Sequence, residues 1–294
     1  MKRNYKTIII ISLLVLLIIY ILNSNMIATS IINYTNLFIT KLFPSSFIIF
    51  IFSSLLIDYG IIQLLSSTKI NGNIIYVSLM SLISGFPSGV KYAKELLDKN
   101  LISPKTANYL ITYTHFPNPI FLLGPISSIL TRPLALKLLM IIIISNTIIA
   151  IIFKPKKEAF TLPKTSNTSF ATSLRKATYA SLKTLTVVYS SSLFFYLISI
   201  IITQYISLEP LNYVILNGLF DLTQGIFSSP IIPNITTRAI VILFFLSFGS
   251  ISIHIQTKSI IADTSINNNS LIFIYNIKLK IIDWTNYIYS ISSS

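Results

Sequence analysis

Long apolar runs, separated by short polar connections, constrain this chain more than any other feature. Ile8–Leu22, Phe43–Leu65, Leu134–Phe153 and Leu185–Tyr205 approach or exceed the roughly 20 residues that a helix needs to cross a bilayer. The runs are continuous and do not alternate with polar residues as the strands of a membrane β-barrel do, so helices are predicted. The sequence therefore predicts an all-α, polytopic membrane protein with about six to eight membrane segments.

The charge of the chain supports the same class. Only 10% of the 294 residues are charged, whereas a soluble domain of this length carries about a quarter. The net charge of +14 comes from basic residues that lie mainly in the connections, as expected of cytoplasmic loops, and they form no patch with interleaved aromatic residues. We therefore expect anionic lipid headgroups as partners, and no nucleic acid. The chain has no cysteine, and neither a metal nor a cofactor is predicted.

The N-terminal run has two interpretations. Lys2, Arg3 and Lys6 precede Ile8–Leu22, a pattern shared by signal peptides and by uncleaved anchors. No clear small-residue cleavage pattern follows, which favours an anchor with a cytoplasmic N-terminus.

The polar connections divide the chain into four predicted parts. Residues 1–36 form the anchor and an outer loop, 37–153 a first repeat, 154–183 a basic cytoplasmic linker, and 184–294 a second repeat with its tail. Whether residues 271–290 cross the membrane stays open at this point, because the apolar tail also holds Lys278, Lys280 and Asp283.

Several apolar segments are interrupted by glycine, proline and polar residues. The interruptions are SGFPSG at Ser84–Gly89, HFPNP at His115–Pro119 and NGLFDLTQG at Asn217–Gly225, whereas Ala239–Ile255 reads as a continuous span. Ser84 and Asn217 are offset by 133 positions, and tracing the sides of the membrane gives the two halves opposite orientations. Paired broken segments in inverted halves indicate a transporter whose substrate site lies at the breaks.

The sequence SGFPSGVKYAKEL at Ser84–Leu96 resembles the signature of the YlbJ-type sporulation integral membrane proteins, also called SpoVV, which carry the nucleoside recognition, or Gate, domain. The similar stretches extend over most of the chain, at Lys41–Leu56, Asn118–Ser127, Asn217–Ile226 and Phe248–Gln256. The resemblance implies transport of dipicolinate from the mother cell to the developing spore. It implies a place in the outer forespore membrane if the host sporulates, with a homo-oligomer or other spore-envelope membrane proteins as partners.

The residues around the breaks have both a functional and a structural interpretation. Gly85 and Gly89 allow close backbone approach, Pro87 ends a helix, and the amides of a broken helix attract an anion. Lys91 could add a full charge; alternatively the glycines only permit helix packing, and Lys91 only marks the cytoplasmic side. The predicted substrate site comprises Gly85, Pro87, Ser88, Gly89, Lys91, Asn118, Asn217, Gly218, Asp221, Thr223, Gln224, Gly225, His254 and Gln256.

Asp221 is the most informative acid, because an ionisable group inside a bilayer costs ~3 kcal/mol or more and usually has a function. It is expected to bind a coupling cation or proton, or the substrate, unless it lies near the surface. For His115 and His254, the only two histidines, a hydrogen-bonded packing role is favoured over a proton relay.

No catalytic pattern supports an enzyme: the sequence contains no phosphate loop, nucleophile elbow or HExxH. The function predicted is transport of a small organic anion. A cation-coupled carrier of a nucleoside-like solute and a non-transporting assembly protein of the spore envelope remain as alternatives.

Overall fold

The computed structural model describes residues 2–66, 71–154 and 168–266, and within these ranges every regular element is helical. The helices, in chain order, are α1 Lys2–Leu22, α2 Ser24–Leu37, α3 Phe43–Asp58, α4 Ile61–Leu65, α5 Gly72–Ser84, α6 Ser88–Asp98, α7 Pro104–Tyr113, α8 Pro119–Phe121, α9 Ser127–Ile129, α10 Arg132–Ile152, α11 Phe170–Tyr205, α12 Pro210–Phe220, α13 Leu222–Ser228, α14 Ile235–Phe248 and α15 Ile251–Ile260. Two π-helical turns, Phe38–Leu42 and Leu122–Ile126, and a 3-10 turn, Ser229–Ile231, connect some of them.

Several helices can cross a bilayer by their length and composition. In the described part of the chain these are α10, α11 and the stretch Ile235–Ile260, with a fourth if the pair Lys6–Leu22 and Ser24–Leu42, bent by 96°, counts as one span. Shorter apolar helices add to them. The all-helical content and these spans identify a membrane protein and are compatible with the predicted polytopic class.

The first compact unit, Met1–Pro44, corrects the predicted outer loop. The segment after Asn23 is helical, as α2, and does not form a loop. Its polar side chains satisfy themselves within the helix: Thr29 and Thr35 donate to the carbonyl oxygens of Asn25 and Ile31. Such hydroxyl groups are therefore compatible with a helix that the composition alone does not favour.

The second unit, Ser45–Ser294, holds the remaining described helices and the predicted boundary between the repeats. The predicted continuous run Phe43–Leu65 is wrong, because α3 ends at Asp58. Gly60 then adopts a left-handed conformation, with φ of 88°, before α4 begins. Glycine adopts that conformation without a steric penalty, so the chain can turn there.

The predicted basic linker also needs correction. The helix α11 begins at Phe170, where the Ser169 side chain accepts a hydrogen bond from the Thr172 amide. Its 36 residues span ~54 Å, which exceeds the ~30 Å of a bilayer core. Its basic first turns, with Arg175, Lys176 and Lys183, can therefore lie in water as part of the helix. Residues 155–167 and the predicted tail span 271–290 lie outside the described residues.

One large apolar core within the second unit draws on both predicted halves. Phe116, Leu122 and Ile126 pack in it together with Ile242 and Phe245, and all five are buried. The core surrounds the helix ends at which the chain is broken, so it fixes the positions of the candidate site.

Candidate functional site

Four helices of the second unit are interrupted inside the apolar part of the protein. The breaks lie at Gly85–Pro87, at Thr114–Asn118, at Asp221 and at Gly249–Ser250. The last of them corrects the predicted continuous span Ala239–Ile255. Gly249 has a φ of 74°, which only glycine adopts readily, and Ser250 caps the next helix.

The first and second breaks contact each other. A Cβ atom on Gly85 would overlap the backbone of Asn118, so a glycine is required at this crossing. The Asn118 Nδ2 donates to the Ser84 carbonyl oxygen at 3.4 Å. The rings of Phe86 and His115 lie with their centroids 4.3 Å apart. Two breaks that are about 30 residues apart in sequence therefore form one structure.

The second break also contacts the fourth. A Cβ atom on Gly249 would lie 2.8 Å from the His115 Nε2 atom, which leaves no room for a side chain. The backbone at His115 is held from a third direction, because Asn146 donates to its carbonyl oxygen at 3.0 Å. His115 thus joins the predicted first half to the predicted second half.

Asp221 joins the third break to the fourth. Its carboxylate is 1% exposed; it accepts a hydrogen bond from the Gln224 amide and another from the Ser252 hydroxyl, each at 3.1 Å. The Ser252 hydroxyl also pairs with that of Ser250 at 2.6 Å. The four breaks therefore form a continuous chain of contacts, which we call the break cluster: Gly85–Pro87, Thr114–Asn118, Asp221 with Ser252, and Gly249–Ser250.

Predicted glycines pack the helices that surround the break cluster. Gly218 lies against the ring of Phe245, and Gly225 lies against the backbone of Gly218. Gly89 contacts Thr114 just as closely. At each of these positions an added Cβ atom would overlap a neighbour, so these glycines determine how closely the broken helices approach.

Two polar side chains near the breaks have unused hydrogen-bonding capacity within the described ranges. Both amide atoms of Asn217 and the hydroxyl of Ser88 are buried and have no hydrogen-bond partner there. Buried polar groups are nearly always hydrogen-bonded, so each of these side chains is unusual. Asn217 lies one helical turn before Asp221, and Ser88 begins α6 directly after the first break.

The remaining predicted residues lie on α13 and α15. Thr223 is buried in α13 and Gln224 is half-buried. Gln256 donates to the Ser192 hydroxyl at 2.9 Å, which connects α15 to α11. The ring of His254 packs edge-on against Phe248, with centroids 5.1 Å apart.

Four helices begin at the breaks, so their partially positive N-termini belong to the break cluster. The N-termini of α8, α13 and α15 are capped by Asn118, Asp221 and Ser250. The N-terminus of α6, which follows Pro87, has no side-chain cap. Amide groups at a helix start attract anions, so the arrangement favours negative charge at α6.

Lys91 lies one turn further along α6, and its backbone amide donates to the Pro87 carbonyl oxygen of the first break at 3.3 Å. Its Nζ donates to the Ser54 hydroxyl at 3.0 Å and to Glu95 Oε2 at 3.2 Å. It also lies over the aromatic rings of Phe50 and Tyr92. The cation is therefore held in an ion pair with Glu95, and the partners of its side chain are residues of α3 and α6 that were not predicted as site residues.

Glu95 is the acid that balances this buried lysine. Burial by itself would raise the pKa of Glu95, but the charges of Lys91 and Lys99 and the hydrogen bonds from Lys91 and Ser54 outweigh it, so the pKa lies below its ordinary value. Lys99 bridges Glu95 and Asp58, at 3.3 and 2.7 Å. A charged network thus ties α6 to the end of α3.

Sequence reasoning missed two features of the site. The contact between His115 and Gly249 has no signal in the sequence, where Gly249 falls inside the predicted continuous span Ala239–Ile255. The lysines and acids around Lys91 do have one: Lys91, Glu95 and Lys99 are spaced by four residues, which places them on one helix face. Within the described ranges, no three His, Asp or Glu side chains lie close enough together to hold a metal ion.

Comparison with known proteins gives one similarity. The chain is 32% identical over 94 residues to the sporulation integral membrane protein YlbJ of Bacillus subtilis strain 168, a match that covers 29% of this chain and 23% of that protein. The chain thus matches about a quarter of the length of this relative. No protein-family model matches the chain, and no solved structure matches it. Together with its apolar helices, the similarity supports a location in a membrane.

Proposed function

We propose that this chain is a membrane transporter of a small organic anion and that its substrate site is the break cluster. The observation that carries the proposal is that four helix breaks contact one another inside the apolar core. Broken helices are tolerated at membrane depth only where protein or a polar cavity satisfies their backbone groups, and transporters use such breaks to bind their substrates.

The polar groups suit an anion. The N-terminus of α6, which has no side-chain cap, supplies a partial positive charge, and Ser88 and Asn217 supply buried side-chain groups with no hydrogen-bond partner within the described ranges. In this proposal these groups receive the carboxylate of the substrate. Asp221 would repel an anion, so its role is to take up a proton or a cation that travels with the substrate.

The identity of the substrate is the finer part of the proposal. The relative carries sporulation in its name, and the SGFPSGVKYAKEL sequence resembles the same family. Both support a role in sporulation, and the resemblance suggests dipicolinate as the substrate, moved from the mother cell towards the spore. The proposal needs neither a catalytic step nor a cofactor.

The test is uptake by the purified full-length chain in liposomes, with dipicolinate and a nucleoside offered side by side. We expect saturable dipicolinate uptake that is lost in Asp221→Asn and kept in Glu209→Gln. Glu209 is an exposed acid directly before α12, at the opposite end of that helix from Asp221. Uptake of the nucleoside alone would show that the chain is a transporter but that dipicolinate is not its substrate. Uptake of neither compound would contradict transport and favour an assembly role.

A further inference from the structure

A charged cavity of about 540 Å³ lies beside the ion pairs of α6, and the proposed transport does not explain its composition. Helices α3, α6 and α11 and the residues around the end of α15 form its walls. Among the described residues, its charged lining consists of Asp58, Lys91, Lys94, Glu95, Asp98, Lys99, Lys176, Lys183 and Asp263. The volume is that of a site for a small molecule.

The ion pairs divide the five lysines into two groups. Lys91, Lys94 and Lys99 each form ion pairs with one or two of the four acids, at distances between 2.7 and 3.3 Å. Lys176 and Lys183 make no ion pair with any described acid, and both are exposed. Five lysines against four carboxylates leave one net positive charge on the lining.

The two remaining lysines lie on one face of α11. They are seven residues apart, which is two helical turns, and the cavity-lining residues between them are the small Ala177 and Ala180. Small side chains at these positions leave room between two flexible cations. The face of α11 is therefore suited to a ligand that carries more than one negative charge.

The ion pair between Lys94 and Asp263 lies at the exposed side of the cavity lining. Their ion pair, at 3.1 Å, joins α6 to the segment after α15, and the Asp263 side chain is 66% exposed. Lys183 also acts electrostatically on Asp263. An exposed pair of this kind contributes little stability, so an incoming anion can replace Asp263 as the partner of both lysines.

We propose that this cavity binds a small anion with two negative charges, such as a dicarboxylate or a phosphate group. Lys176 and Lys183 hold the anion, and Lys94 exchanges its contact with Asp263 for a contact with the ligand. The anion comes either from solution or from a lipid headgroup. Only the role of this site depends on the proposed function: it would collect the anion before transport.

The test is calorimetric titration of the purified full-length chain with phthalate and with inorganic phosphate. Removing both cations in Lys176→Gln/Lys183→Gln is expected to weaken binding by about tenfold or more, because charge-assisted contacts are lost. The matched control, Arg175→Gln, removes a neighbouring exposed charge that does not line the cavity, and it should leave the affinity nearly unchanged. Equal affinities in wild type and the double variant, or no binding to wild type, would overturn the proposal.

A second variant predicts tighter binding, which misfolding cannot imitate. Asp263→Asn removes the carboxylate that competes with the ligand, so the affinity should rise by about twofold to fivefold. Glu209→Gln, an exposed acid outside the cavity lining, serves as its control. Unchanged or weaker binding in Asp263→Asn would contradict the exchange of partners.

Titration in nanodiscs distinguishes the two sources of the anion. If phosphatidic acid, whose phosphomonoester carries up to two negative charges, weakens phthalate binding relative to phosphatidylcholine in wild type but not in the double variant, the ligand is a lipid headgroup. If the lipid has no effect, the ligand is the soluble anion. Binding is measured apart from uptake, so a chain that binds phthalate but transports nothing would contradict the proposed function and leave this site standing.

Discussion

Gly249 faces the imidazole ring of His115 so closely that a Cβ atom at position 249 would lie 2.8 Å from Nε2. This contact joins the break between α7 and α8 to the break between α14 and α15. It connects the two predicted halves of the chain at residues that interrupt a helix in each half. The geometry of the site therefore depends on a residue with no side chain.

Gly249→Ala should damage both the backbone and this contact. The φ of 74° with ψ of 157° is a conformation almost restricted to glycine and costs a residue with a side chain about 1–3 kcal/mol, and the added methyl group must displace His115. We expect a lower thermal midpoint and a loss of dipicolinate uptake. Gly124→Ala is the control, because nothing lies within 4 Å of the added atom there.

The double variant Gly249→Ala/His115→Ala separates the two effects. Removing the ring relieves the overlap but leaves the backbone strain, so the midpoint should recover in part. A double variant no more stable than Gly249→Ala would show that the contact with His115 does not limit the substitution.

Asp221→Asn and Asp221→Ala should separate the charge of this residue from its structural role. Asparagine is as good an N-cap as aspartate, so Asp221→Asn is expected to fold with nearly the same midpoint. Alanine loses the cap, which costs ~1 kcal/mol, and removes one of the two hydrogen-bond partners of the Ser252 hydroxyl. Uptake should be lost in both variants, and normal uptake by the folded Asp221→Asn would refute a role for the charge.

Gly225→Ala should destabilise the fold without touching a polar group of the site. Its Cβ atom would overlap the backbone of Gly218, which cannot move aside as a flexible side chain can. Such overpacking costs about 1–3 kcal/mol. The midpoint in detergent should fall relative to Gly124→Ala, and equal midpoints would contradict the close crossing of α12 and α13.

Lys91→Ala should lose stability because it leaves Glu95 buried without its closest cation. Breaking a buried ion pair from one side costs about 3–5 kcal/mol. The double variant Lys91→Met/Glu95→Gln removes both charges and should recover most of the loss. The exposed Lys137 supplies a control substitution on α10.

The double variant Lys91→Met/Glu95→Gln also decides how uptake data on Lys91 are interpreted. If Lys91→Met/Glu95→Gln folds and transports normally, the lysine is structural. If it folds but does not transport, the charge serves the substrate.

Stability should fall in acid through Glu95. The pKa of Glu95 is lowered in the folded protein, chiefly by Lys91 and Lys99 acting against burial, so its contribution is fully present above the unfolded pKa and is lost as the pH falls through the lower folded value. The thermal midpoint should therefore drop below about pH 4. Glu95→Gln should start from a lower midpoint and show a weaker dependence on pH over this range. An identical pH dependence in Glu95→Gln would exclude this acid as the cause.

The sequence by itself determined the membrane class, the helical content and three of the four breaks. Long apolar runs indicate directly that a segment lies in a bilayer, because a bilayer tolerates few charges and requires backbones whose hydrogen bonds are made within the protein. Gly85 and the prolines in Gly85–Pro87 and His115–Pro119 indicate helix breaks just as directly, because glycine adopts unusual backbone conformations and proline cannot continue a helix. The inverted relationship of the halves remains a prediction from the sequence.

Only the tertiary structure decided which of these positions meet. Composition made residues 23–36 resemble a loop, whereas the structure shows the helix α2, whose hydroxyl groups bond to its own carbonyl oxygens. Lys91 belongs to the SGFPSGVKYAKEL signature, yet its side chain bonds to Ser54 and Glu95, which the sequence did not predict. Contacts such as Gly249 with His115, or Asp221 with Ser252, join residues far apart in the chain, and packing, which has no local periodicity in the sequence, brings them together.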